Sequence, residues 1–191
     1  MSIVPSKSVI QCLENPCTNE YLKLKEHVNG VEMGWFYFPC TIEDNRGIDC
    51  LQSNDAPFYS HMIMERPNKE NGTPFSKITS ELFPSVYTVL SQIFEHNNID
   101  PSVIYRINFN SSFAFNVKST PYHVDLDIPH KNLIVYMSTF NGGRTLVKDG
   151  EEEIAFNPEE DKIILFDGMR QHCSEVPTGN SRRIVLVACF H

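Results

Sequence analysis

From Val103 onward the chain reads as one short strand after another, separated by turns. Candidate strands are Val103–Asn110, Tyr122–Leu126, Leu133–Ser138, Thr145–Val147, Glu153–Phe156, Lys162–Phe166 and Ile184–Phe190. They are rich in β-branched, aromatic and other apolar residues, and turns such as Asn141-Gly142-Gly143 and Asp167-Gly168 punctuate them. Many short strands packed this closely argue for a β-sandwich or barrel.

The first hundred residues have a different texture. Met33–Phe38 and Pro57–Met64 read as strands, and Pro67–Pro74 as a polar loop. Leu82, Val86, Val89, Leu90 and Ile93 recur at helical spacing, so a helix is expected from about Phe83 to about Asn97. Pro84 fits only in its first turn, where the missing N–H costs nothing. The expected fold is α+β, mainly β: a double-stranded β-helix, jelly-roll or cupin-like, buttressed by N-terminal helices. A single domain spans 1–191, with an α/β elaboration over 1–100 and the β core over 103–190.

Composition narrows the function classes. The 191 residues, 41% hydrophobic and 21% charged, suit an ordinary soluble globular chain with a real core. No apolar run approaches the roughly 18 residues of a membrane span, and the N-terminus lacks a secretory apolar stretch, so a cytoplasmic location is expected. Six cysteines show no metal-finger spacing and are expected as free thiols in a reducing compartment. A formal charge of −8 discounts nucleic acid as a partner.

His123-Val124-Asp125 is the sharpest chemical signal. In a strand, residues i and i+2 share a face, so an imidazole and a carboxylate would project together. A second, distant imidazole would complete the 2-His-1-carboxylate set of non-haem Fe(II) sites, whose open positions admit co-substrate and O₂. His172 follows the apolar run Ile163–Phe166 and the Asp167-Gly168 turn, where a strand should begin. Arg183 heads the apolar strand Ile184–Phe190, and a cation leading into a core strand wants a partner. Arg182 competes with it, because both faces of that strand are apolar.

The order H-x-D, distal His, then Arg opening the last core strand resembles the 2-oxoglutarate/Fe(II) dioxygenases. Within them the chain looks closest to the prolyl 4-hydroxylase-like group, including its small phage and marine-microbe members. The resemblance covers roughly Tyr105 to Phe190. It includes Leu133–Ser138, the turn Asn141-Gly142-Gly143-Arg144-Thr145, and Leu165-Phe166-Asp167-Gly168 ahead of His172. It implies Fe(II) held by His123, Asp125 and His172, which are thereby the catalytic centre. It also implies 2-oxoglutarate bound by Arg183 and by Tyr136, and O₂ as the second co-substrate. The family's tyrosine upstream of the H-x-D has no counterpart that can be placed here.

Tyr136 reads equally as a core tyrosine. Arg106, Asn108 and Asn110 share one face of their strand, either as substrate contacts or as a polar sheet surface. Asp127 and His130 read as loop residues, and Cys173 as a small buried hydrophobe. The expected activity is hydroxylation of an unactivated C–H bond in a protein side chain or small molecule, giving succinate and CO₂. A cupin-like metalloprotein without 2-oxoglutarate, or a binding module without catalysis, remains the alternative.

Overall fold

The computed structural model describes residues 9–40, 55–68 and 74–191. In chain order the first half provides β1 (Ile10–Leu13), α1 (Asn19–Asn29), β2 (Phe36–Phe38), β3 (Phe58–Glu65), β4 (Lys77–Ile78) and α2 (Phe83–His96). The second half provides β5 (Ile104–Phe113), β6 (Lys131–Tyr136), β7 (Asn141–Gly142), β8 (Thr145–Asp149), β9 (Glu152–Phe156), β10 (Ile163–Asp167), β11 (His172–Ser174), β12 (Pro177–Thr178) and β13 (Arg182–Phe190). Among the described residues the fold is mainly β, with antiparallel sheets and two helices, as the strand-dense sequence implies.

Eight strands form one sheet in the order β1-β10-β6-β13-β5-β3-β2, with β4 on β3. A three-stranded sheet, β11-β8-β9, and the pair β12-β7 complete the β structure. Strands from the first hundred residues thus join the large sheet, β1 beside β10 and β3 beside β5. The N-terminal region does more than buttress from outside.

Alternation along β13 divides the interior in two. Ile184, Leu186, Ala188 and Phe190 enter a core shared with Val86, Val89, Leu90, Ile93 and Phe94 of α2 and with Tyr21, Leu24 and Val28 of α1. Val185, Val187 and Cys189 face the other way, into a core with Ile134, Tyr136 and Val147, against which Ile154 and Phe156 of β9 pack. The second core lies between the large sheet and the three-stranded one.

Helix α2 starts as the apolar spacing and Pro84 dictate and ends one residue before the expected Asn97. Helix α1 answers to the expected N-terminal helices, but the sequence gives no position for it. Thr18 caps it by accepting from Tyr21 N, and Tyr21, Leu24 and Val28 form a stripe only three residues wide. Its docking is polar as well: Asp161 Oδ1 accepts from Tyr21 Oη and from Lys25 Nζ, each at 2.6 Å.

Three expectations need correction. Tyr122–Leu126 is not a strand; its only pairing is an isolated bridge between His123 and His172. Pro121 and Pro129 flank the segment and cannot donate to a ladder. The strand expected at Met33–Phe38 is only Phe36–Phe38, and the loop Pro67–Pro74 lies partly outside the described residues. Cys12, Cys17, Cys173 and Cys189 are free thiols, but Cys40 is disulfide-bonded, against the all-thiol expectation. No described helix is long and apolar enough to cross a membrane.

Candidate metal centre

The bridge that replaces the expected strand brings the two histidines together. His123 N donates to His172 O and His172 N donates to His123 O, both at 3.0 Å. The imidazole centroids stand 4.7 Å apart, and Phe166 packs edge-on against His172. His123 Nδ1 lies 3.0 Å from the Pro121 carbonyl, and His172 Nδ1 lies 3.0 Å from the Arg170 carbonyl. A carbonyl only accepts, so each Nδ1 carries the hydrogen and each Nε2 is left with its lone pair.

Asp125 supplies the third donor. One ligand atom from each of His123, Asp125 and His172 lies within 4.8 Å of the other two. The carboxylate is buried and held from several sides. Arg106 Nη1 donates to Oδ1 at 2.8 Å, and Asn132 Nδ2 donates to Oδ2 at 2.8 Å. Arg66 Nη1 donates to the Asp125 carbonyl at 2.7 Å, fixing the backbone beneath it. Burial would raise this carboxyl, but close contact with His172 and the Arg106 charge outweigh it and hold the group well below the usual carboxylate range. Burial, foremost, and the neighbouring His172 and Arg106 side chains lower His123 below its ordinary value. His172 Nε2 is 3.3 Å from Asp125 Oδ2. Two lone pairs that close repel unless a proton or a metal ion lies between them, so the donor set fits a divalent cation.

Arg183 and Tyr136 sit at the other end of the inter-sheet space. Arg183 is 5% exposed, its Nε donates to Gly143 O at 3.2 Å, and its Nη2 donates to Thr145 Oγ1 at 3.3 Å. Its guanidinium lies 5.7 Å from the Tyr136 ring centroid. Burial lowers its pKa, and among the described residues no carboxylate pairs with it. Tyr136 is fully buried, its hydroxyl is 2.7 Å from Thr145 Oγ1, and burial raises its pKa. Arg182 points to the helix side, over the Trp35 ring and 3.4 Å from Val28 O.

Register relates the two ends. Cys189 of β13 pairs with Arg106 and Asn132, and Val185 pairs with Asn110 and Tyr136. The polar face of β5 (Arg106, Asn108, Asn110) therefore turns toward the inter-sheet space. Asn108 is fully buried; its Nδ2 donates to Asn110 Oδ1 at 2.6 Å, while its Oδ1 and Arg106 Nε have no partner among the described residues. Arg106, singled out for substrate, already touches Asp125.

Asp127 is exposed, and Cys173 is buried. His130, read as a loop residue, is buried beside Asp125. Asn132, Thr145 and Arg66 were not singled out from the sequence. Asn132 carried a usable signal, a polar residue opening the apolar run Leu133–Met137. Thr145 and Arg66 carried none.

No protein-family model matches the chain, and no curated protein matches it by sequence. Solved structures do match. A 2OG-Fe(II) oxygenase family oxidoreductase from Burkholderia pseudomallei superposes with a TM-score of 0.60 at 14% identity, covering 83% of this chain and 73% of that one. A prolyl hydroxylase from Trichoplax adhaerens, in complex with a hypoxia inducible factor peptide fragment, gives 0.55 at 12% identity, covering 95% and 83%. The epimerase SnoN, in complex with Fe3+, alpha ketoglutarate and nogalamycin RO, gives 0.59 at 9% identity, covering 95% and 78%. At these identities the likeness is one of fold: this chain has the fold of 2OG-Fe(II) oxygenase structures.

Proposed function

We propose that the chain is an Fe(II)- and 2-oxoglutarate-dependent dioxygenase of the prolyl 4-hydroxylase-like group, with the two sheets forming a double-stranded β-helix. It hydroxylates an unactivated C–H bond of a protein side chain or small molecule, with release of succinate and CO₂. One observation carries this reading: a 2-His-1-carboxylate cluster shares the inter-sheet space with a buried arginine that has no acid partner among the described residues. A cupin-like metalloprotein, or a binding module, would leave that cation without a task.

His123 Nε2, Asp125 and His172 Nε2 would hold the iron. Fe(II), 2-oxoglutarate and O₂, when bound, supply oxidative decarboxylation coupled to C–H hydroxylation. The Pro121 and Arg170 carbonyls fix the two imidazoles, while Arg106 and Asn132 keep the carboxylate ionised and oriented. Arg183 binds the far carboxylate of 2-oxoglutarate through its planar fork. Tyr136, kept protonated by burial, donates to the same group. Asn108 Oδ1 and Arg106 Nε, both unpartnered, are the substrate contacts this reading assigns.

The test is anaerobic loading with Fe(II), followed by titration with 2-oxoglutarate. The wild-type chain should bind one ion and develop a metal-to-ligand charge-transfer band. His123→Ala, Asp125→Ala and His172→Ala should each lose the metal, since two protein donors remain. A chain that holds iron but gives no band at millimolar 2-oxoglutarate overturns the assignment in favour of the cupin-like reading.

A further inference from the structure

Behind the triad lies a second donor set that the proposed reaction does not use. Ligand atoms of Asp125, His130 and Cys189 lie within 4.8 Å of one another, and all three residues are buried. His130 is 3% exposed. Its Nδ1 is 2.7 Å from the Ile128 carbonyl, so Nδ1 carries the hydrogen and Nε2 presents a lone pair. That Nε2 has no hydrogen-bond partner among the described residues, which in a buried imidazole calls for an explanation. The ring position is built into the fold: a Cβ on Gly168 would stand 2.2 Å from His130 Nε2, so only glycine leaves room for the imidazole. Asn132, paired with Cys189 across β6 and β13, adds a second unpartnered buried atom, its Oδ1.

We propose that Asp125, His130 and Cys189 form a second metal site, selective for thiophilic divalent ions such as zinc, cadmium or cobalt, which shares its carboxylate with His123 and His172. An imidazole nitrogen, a thiolate and a carboxylate are zinc-type donors, with bonds of about 2.0–2.3 Å. Tetrahedral donors then stand roughly 3.3–3.7 Å apart, so the set need close by only about 1 Å. Binding forms one sulfur–metal bond and releases the Cys189 thiol proton to solvent; no electron is transferred. Because Asp125 belongs to both sets, an ion on the inner one draws the carboxylate away from His123 and His172. The inner site therefore competes with the outer one, and a thiophilic ion there inhibits whatever chemistry the outer one performs.

Cobalt(II) titration of the full-length chain under anaerobic conditions tests this, because only a cysteine ligand gives thiolate-to-cobalt charge transfer in the near ultraviolet. The wild-type chain should show that band. Cys189→Ser should lose it, and His130→Gln should weaken cobalt binding, read on that band, at least tenfold. A chain with Cys12, Cys17 and Cys173 changed to serine should keep it. No thiolate band at saturating cobalt, or a band retained in Cys189→Ser, overturns the proposal. If Cys189→Ser does not fold, His130→Gln decides, and unchanged affinity there overturns it equally. His172→Ala should lose the outer set but keep the thiolate band. A band kept there, with no 2-oxoglutarate response in the wild-type chain, sinks only the oxygenase reading.

Discussion

Arg182 and Arg183 are adjacent and chemically alike, yet β13 sends one to the helix side over Trp35 and the other into the inter-sheet space beside Tyr136. Sequence alternation could not separate them, because both faces of that strand are apolar and only the packing partners differ. Arg183→Ala should weaken 2-oxoglutarate binding roughly thirty-fold or more, since truncating one partner of a desolvated charge pair costs on the order of 2–5 kcal/mol. Arg182→Ala should leave that affinity within a few-fold, and Arg183→Lys should recover only part of it, keeping charge but losing the fork. An anaerobic titration of the charge-transfer band measures all three; a larger loss in Arg182→Ala would reverse the assignment. The clustered residues also set a pH dependence. Folding lowers the pKa of His123 from its ordinary 6.5, so as pH falls through that value the unfolded chain takes the proton first. This stability is complete above 6.5 and is lost below it; Asp125, also lowered on folding, acts with the same sign at more acid pH. The urea midpoint of the metal-free chain should therefore fall between about pH 7 and about pH 5, and His123→Gln should flatten the decline.

Turns and bridges do at the element scale what strands were expected to do. The His123–Asp125 segment lies outside any ladder, and a single bridge to β11 sets its place. The H-x-D spacing was readable, but the conformation that delivers it was not, because the pairing partner lies 49 residues away. The position of helix α1 was not legible for a related reason. Its apolar stripe is short, and its anchor, Asp161, is distant in sequence. The turn before β8 shows how closely an element can govern the site. Gly143 has φ +65°, and a Cβ there would lie 2.9 Å from Phe140 Cε2 and 3.1 Å from Arg183 Cδ. Gly143→Ala should cost about 1–2 kcal/mol from the left-handed backbone alone, and more from the contact. It should also displace Arg183, so that 2-oxoglutarate affinity falls while metal affinity holds. Paired titrations of metal and co-substrate would show this split, and equal losses in both would contradict it.

Across the whole molecule the large sheet acts as a partition, with helices on one side and the site on the other. Core damage on the helix side should therefore be separable from the chemistry. Leu186 is fully buried in the helix-side core, so Leu186→Ala should destabilise by about 2–5 kcal/mol. Its metal affinity should stay within a few-fold of wild type under conditions where it remains folded. Urea denaturation and a metal titration on the same preparation check this; a large loss of metal binding in the folded variant would mean the partition is not real. The mainly β class, helix α2 and most of the longer C-terminal strands were legible in the sequence, because strand and helix periodicities are local and turn residues mark their ends. The residues His123, Asp125 and His172 could be picked out as candidates too, since few residue types can present an imidazole–carboxylate pair at that spacing, and the structure brings the three side chains together. Tertiary structure alone decided the rest. It set which arginine enters the inter-sheet space, that Arg106 and Asn132 grip Asp125, that His130 is buried beside Cys189, and that α1 docks on Asp161. Each depends on strands brought side by side from distant parts of the chain, and a side chain's neighbours across a sheet leave no periodicity in its own segment.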